Sequence, residues 1–144
     1  KGERASVLFD MATQLGVASF TPLLCERSVV DPGTGTLERL RRVCLEACKQ
    51  SRRTYLPEVH APAKLADALA RDGIKWIAHP TGKPLGGLSP ASQPLTLLVG
   101  PEGGFTDQEI GDAERDGAEC VALGHTILRI EAAAVALVAA IMLR

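Results

Sequence analysis

The run Leu95-Thr96-Leu97-Leu98-Val99-Gly100-Pro101-Glu102-Gly103-Gly104-Phe105-Thr106 decides the fold. Its first five residues are apolar and strand-forming, and so short a run fits a buried strand better than a helix. Gly100-Pro101 stops the strand, because proline has no amide donor, and the glycines that follow free the backbone. Thr106-Asp107-Gln108-Glu109 has the spacing of a capping box, with the Thr106 hydroxyl on the third helical amide and Glu109 reaching back. The helix it opens is predicted to end near Asp116-Gly117. The pattern then repeats. Cys120 to Leu123 is a second short strand, Gly124-His125-Thr126 a second turn, and Ile127 to Leu143 a second helix. Two such units in succession predict a mostly parallel sheet with helices on both faces, an α/β fold. Small ligands bind such sheets in the crevice beyond the carboxyl ends of the strands.

Upstream, Ser6 to Leu15 reads as a helix with Val7, Leu8, Met11, Ala12 and Leu15 on one face and Gly16 closing it. Val17 to Leu24 follows as a strand. Asp31 to Gly35 is a loop, and Thr36 is placed to cap a helix running to about Arg53. On that helix Leu37, Leu40, Cys44, Ala47, Cys48 and Ser51 fall on one side. Arg39, Arg42, Glu46, Lys49 and Arg53 fall on the other. Two readings of this second face stand, a solvated surface or a cationic stripe for phosphates. Pro57 and Pro62 bracket an extended piece, Ala63 to Arg71 reads as a short helix, and Ile74 to Ala78 as a buried strand ending at His79-Pro80. Thr81 to Pro94 reads as a glycine- and proline-rich connection, either a cover for a ligand or a tolerated surface loop.

The 144 residues suffice for one domain with a real core. Aromatics make up 3% of them, so the core must be aliphatic, and a base-stacking platform for single-stranded RNA is disfavoured. The net charge is −1, but residues 1–53 carry nine Lys/Arg against six Asp/Glu, a net of +3, and residues 54–144 seven against eleven, a net of −4. Phosphate contacts are therefore expected on the first third. Cys25, Cys44, Cys48 and Cys120 form no C-x-x-C pair and have no histidine at metal spacing, which predicts buried thiols in a reducing cytoplasm and no metal. The C-terminal apolar stretch is too short to span a bilayer. A chain that starts at Lys1 without methionine reads as an excised piece.

Gly100 to Thr106, then Leu123-Gly124, then Ile127-Leu128-Arg129-Ile130-Glu131-Ala132-Ala133, occur in the order seen in the RsmE family, and the chain resembles that family over nearly its whole length. The family consists of bacterial enzymes that methylate N3 of a uridine in small-subunit (16S) ribosomal RNA with S-adenosylmethionine. They belong to the SPOUT class, homodimers whose C-terminal segment forms a trefoil knot and whose active site takes residues from both subunits. The resemblance thus implies that residues 1–144 are a SPOUT-like methyltransferase domain, with the family's N-terminal β-barrel absent. The knot comes from the resemblance alone, since the pattern by itself predicts an unknotted sheet. The resemblance also implies a homodimer built partly on the alanine-rich last helix, where the residues alone read equally as a core helix.

For the site, the resemblance implies that S-adenosylmethionine contacts His79, Leu98, Gly100, Pro101, Glu102, Gly103, Leu123, Gly124, Ile127, Leu128 and Ala133. His79 would contribute its backbone, its side chain being structural or solvent-facing. Arg129 and Glu131 are the candidate catalytic residues. A guanidinium can hold a uracil oxygen, a phosphate or a carboxylate, and a stabilised N3 anion removes the need for a strong base. A structural ion pair of Arg129 with Glu131 or Glu102 is the competing role. Arg39, Arg42, Lys49, Arg52 and Arg53 are the candidate RNA contacts, since Gln50-Ser51-Arg52 resembles a family segment beside the active site. The chain departs from the family at Met11 and Gln14, where a lysine and a glutamate are usual. It departs again at His125-Thr126, where Pro-Arg is usual, and at Ala132, where a threonine is usual. Two alternatives stand beside rRNA methylation: a SPOUT methyltransferase with another RNA target, and an inactive RNA-binding or ribosome-assembly module.

Overall fold

The structure, a computed structural model, describes residues 2–29, 31–89 and 92–143. Helix α1 spans Gly2–Leu15 and buries Phe9, Ala12 and Thr13. It ends at Gly16, whose φ of +107° lets Val17 return its amide to the Ala12 carbonyl. The strand expected from Val17 to Leu24 is two short ones, β1 (Ser19–Phe20) and β2 (Leu23–Leu24), parted at Thr21-Pro22. Proline has no donor with which to continue a ladder. Their parallel partners are β3 (Glu58–Val59) and β4 (Ala63–Lys64), parted in the same way before Pro62. Ala63 therefore belongs to a strand, and the helix expected from it, α3, covers only Leu65–Leu69.

Helix α2 spans Thr34–Ser51, beginning two residues before the expected Thr36 cap, on Gly33, with no side-chain cap. Its buried face is the one the spacing predicts: Leu37, Leu40, Cys44, Ala47 and Cys48. Phe9 of α1, Leu37, Leu40, Cys44 and Val59 form one apolar cluster, with Phe20 stacked on Phe9.

The central sheet has the order β6-β5-β7, all parallel: β5 is Ile74–Pro84, β6 Leu95–Leu98 and β7 Glu119–Ala122. Alternation along the strands divides the core in two. Ile77, Leu98 and Cys120 face α3 and α4 (Asp107–Arg115) in a cluster that includes Leu65, Leu69, Phe105 and Ala113. Trp76, Leu97 and Val121 face the other way, against Leu137 of α5 (Ile130–Met142). Helices thus cover both faces, as the two-unit pattern predicts.

Two further boundaries differ from expectation. Strand β5 does not stop at His79-Pro80 but runs to Pro84, so the expected loop loses its first four residues. The strand pairs with β7 twice: Ala78 and Lys83 both sit opposite Val121, with a break in register between them. Gly82 makes this possible, because a Cβ there would lie 2.5 Å from Cys120 C and Val121 N. The rest of that connection contains a single 3-10 turn, Leu85–Gly87, and its Pro90 and Ala91 lie outside the described residues. Helix α5 starts at Ile130 rather than Ile127, since Arg129 is its extended cap with ψ of 157°. No helix among the described residues is long and apolar enough to cross a membrane.

Candidate functional site

The ends of β5, β6 and β7 and the turns after them enclose a cleft of about 290 Å³, at the small end of the range typical of cofactor sites. The turn after β6 is closed by the Gly104 amide on the Pro101 carbonyl (2.8 Å), with Gly104 at φ +72°. It is held to α4 by the predicted capping box. The Glu109 amide donates to Thr106 Oγ1 (3.1 Å), and the Thr106 amide donates to Glu109 Oε2 (2.9 Å). The turn after β7 passes through Gly124 at φ +114°, a conformation that only glycine adopts without strain. A Cβ at Gly104 or Gly124 would meet no protein atom within 4 Å. These two glycines serve backbone conformation, and they leave space open beside the turns.

Eight of the expected cofactor residues line this cleft: His79 from β5, Gly100 and Pro101 from the first turn, Leu123, Gly124, Ile127 and Leu128 from the second, and Ala133 from α5. Leu98 does not, because its side chain is buried on the α3–α4 face of the sheet. Glu102 and Gly103 also lie outside the lining. Glu102 forms an ion pair with Arg4 (3.1 Å), and Gly103 faces Arg27. Residues that sequence reasoning missed complete the wall: Ala78, Pro80, Val99, Gly104, Phe105, Val121, Thr126 and Ile130. Val99 and Ala78 are the last residues of the strand runs read from the sequence, so their place at the strand ends was available as a signal. Ile127, 93% exposed, projects from the rim.

The lining carries one ionisable side chain, His79. Its Nδ1 lies 2.9 Å from Thr81 Oγ1 and 3.4 Å from the Thr81 amide. An Nδ1 that accepts satisfies both donors, so the ring is anchored to its own bulge. Apart from Thr126, the rest of the lining is apolar side chain and backbone, suited to binding and orienting a group that brings its own reactivity.

Arg129 and Glu131 flank the cleft. The expected partners of Arg129 are engaged elsewhere, since Arg4 of α1 reaches both Glu102 and Glu131 (3.9 Å). Among the described residues the exposed Arg129 side chain has no ion pair or hydrogen bond. Its carbonyl starts α5 by accepting from the Ala133 amide (2.8 Å).

The five cations expected to meet RNA, three on α2 and two just after it, divide. Arg53 donates to the carbonyls of Thr13 (2.6 Å) and Val17 (3.2 Å), tying the end of α2 to the end of α1. Arg39 binds the Gly2 carbonyl and the Ser6 hydroxyl. Lys49 pairs with Glu46 at 2.8 Å. Arg42 and Arg52 are exposed, and Arg52 takes the left-handed conformation (φ 57°) that ends the helix.

The thiols are divided as well. Cys44 and Cys48 are buried in α2, and burial raises the pKa of Cys44. Burial pushes Cys25 to about 11, with Glu109 adding to the rise, and Cys120 also to about 11, with Glu114 adding.

A family model described as an RNA methyltransferase domain matches residues 1–142. The ribosomal RNA small subunit methyltransferase E of Synechocystis sp. is 35% identical over 138 residues, covering 90% of this chain and 46% of that protein. Its namesake from Aquifex aeolicus is 32% identical, covering 91% of this chain and 59% of that protein. Among solved structures, the ribosomal RNA small subunit methyltransferase E of Neisseria gonorrhoeae bound to S-adenosyl methionine superposes with a TM-score of 0.91 at 32% identity, over 97% of this chain and 60% of that one. A methyltransferase from Legionella pneumophila with bound cofactor SAM gives 0.87 at 32% identity, over 96% and 60%. The chain spans about half the length of the curated relatives it matches. With the family model covering almost every residue and the fold agreeing with it, the chain belongs to the RNA methyltransferase domain family.

Proposed function

We propose that this domain binds S-adenosylmethionine in the cleft beyond β5, β6 and β7 and methylates N3 of a uridine in small-subunit ribosomal RNA. The observation that carries the reading is the cleft itself, an apolar pocket closed by two glycine turns at φ +72° and +114°. It is supported by the fold, which two relatives solved with that cofactor bound share over 96% and 97% of this chain. The cofactor supplies an electrophilic methyl group. The protein has to bind, orient and exclude water, and the lining fits that task. Backbone of the two turns offers hydrogen-bonding groups, and Leu123, Leu128 and Ala133 shield the site from water.

Uridine N3 must lose its proton as it is methylated. Arg129, beside the cleft and without a protein partner among the described residues, can neutralise the charge that develops on the base. Glu131, two residues further on in the first turn of α5, is held by Arg4, so the N3 proton passes to solvent rather than to this carboxylate. Arg42 on α2 and Arg52 at its end are the expected cations left to meet RNA phosphates. A second copy of the chain completes the proposal. Val7 and Met11 of α1 and Met142 and Leu143 at the end of α5 are exposed apolar side chains on two helices packed together. A C-terminal trefoil knot, a cytoplasmic location and an N-terminal β-barrel of the family's kind assisting RNA capture belong to the same reading.

Calorimetric titration with S-adenosylmethionine, paired with single-turnover methyl transfer to a small-subunit rRNA fragment, tests it. Saturable binding is expected, abolished by Thr126→Trp, which fills the cleft from an exposed position. Arg129→Ala is expected to leave cofactor affinity unchanged and to slow transfer about 10²-fold. A folded chain that shows no binding at millimolar cofactor overturns the enzyme reading in favour of an RNA-binding module. Transfer to an atom other than uridine N3 overturns the assigned target.

A further inference from the structure

Residues 25–28 form a small turn closed on itself. The Cys25 amide donates to Ser28 Oγ (2.9 Å), and the Ser28 amide donates to the Cys25 carbonyl (3.0 Å). The turn docks on the segment after β6 at two points. The Glu26 amide donates to Glu109 Oε1 (2.8 Å), the carboxylate whose other oxygen completes the α4 capping box. Arg27 Nη1 donates to the Gly103 carbonyl (2.8 Å) and lies 3.5 Å from the Phe105 carbonyl. A Cβ on Gly103 would stand 3.2 Å from Arg27 Cδ and 3.3 Å from Arg27 Cβ, tighter than such contacts normally are. A side chain on Gly103 would therefore press on the arginine stem.

We infer that Arg27 is a positioning residue for the cofactor turn. It holds the carbonyls of residues 103 and 105 from outside the cleft and so fixes the backbone of Gly104 between them, which lines it. The inference rests on the cofactor reading above. A charged donor on a carbonyl is among the stronger hydrogen bonds, and the one nitrogen Nη1 reaches both carbonyls. Because Arg27 touches the turn and not the ligand, its removal should loosen the site without removing any group that binds.

The test is S-adenosylmethionine affinity, by calorimetry, for the unaltered chain, Arg27→Ala, Arg27→Lys, Gly103→Ala and the double variant, each checked by thermal melting. Arg27→Ala is expected to weaken binding about tenfold, the size of one charged hydrogen bond. Low-millimolar guanidinium should restore part of the loss, an effect that a merely structural defect would not show. Arg27→Lys should fall between. Gly103→Ala, which presses on the arginine stem, should weaken binding alone and add nothing in the Arg27→Ala background. A folded Arg27→Ala chain with unaltered affinity overturns the inference and leaves the cofactor reading intact. If Arg27→Ala does not fold, unaltered affinity in Gly103→Ala does the same. No binding by the unaltered chain overturns both.

Discussion

Cys25 and Cys120 show how single side chains set a limit on stability. Both thiols titrate near 11 in the folded chain, against an ordinary value of 9.0, because burial disfavours the thiolate and Glu109 and Glu114 repel it. A raised pKa means that the folded state holds the proton more tightly than the unfolded chain. The stabilisation is therefore complete below pH 9 and is lost as the pH climbs from 9 towards 11. Denaturant midpoints are expected to be level from pH 7 to 8.5 and to fall by pH 10.5. The fall should be shallower in Cys25→Ser/Cys120→Ser, and an equal slope in that variant would contradict the assignment. The sequence showed these cysteines as unpaired thiols, but not their carboxylate neighbours: Glu109 is far along the chain from Cys25, and Glu114 meets Cys120 only because β7 turns back beside α4. The same holds for Arg4 and Arg27. Each was visible as a cation, yet the acceptors at Glu102 and Gly103 lie far along the chain, and no local pattern encodes such a pairing.

At the scale of elements, local chemistry was legible where it closes within a few residues. The Thr106/Glu109 box is present with both bonds made, and α4 ends next to Asp116-Gly117 as read. Thr106→Ala is expected to cost about 1 kcal/mol in chemical unfolding. Glu109→Ala should cost more, since its carboxylate also receives the Glu26 amide. Legibility failed where tertiary pairing overrode local signals. Pro80, Gly82 and Pro84 mark a loop by composition, yet β7 recruits them into β5. Ile127 and Leu128 look like the first turn of an apolar helix, yet they are withheld from α5 to line the cleft. Eight of the expected cleft residues were reached through a resemblance that takes in the end of β5, both turns and the start of α5. Composition and periodicity alone would have placed the crevice but not its walls.

For the whole molecule, the contact that governs the cleft floor is the close passage of β5 over β7 at Gly82. Gly82→Ala would force a methyl group against the backbone of Cys120 and Val121. The expected penalty is about 1–3 kcal/mol, as for other overpacked sites, with amide exchange in β7 accelerating more than in α1 or α2. Equal protection across the chain would show that the two strands part without consequence. Division of the core into an α1–α2 cluster and two clusters around the central sheet makes that difference observable.

The double pairing of β5 with β7 also bears on how the chain is made. β5 leaves the ribosome well before Glu119 to Ala122, the residues that will cover its second edge. At about 5–20 residues per second, the nascent strand waits for seconds with β6 on one side and unpaired amides on the other. A message cut short anywhere before Glu119 would release a polypeptide with that edge permanently open, a template for aggregation. Translational quality control, rather than loss of catalysis, would then decide the fate of truncated alleles.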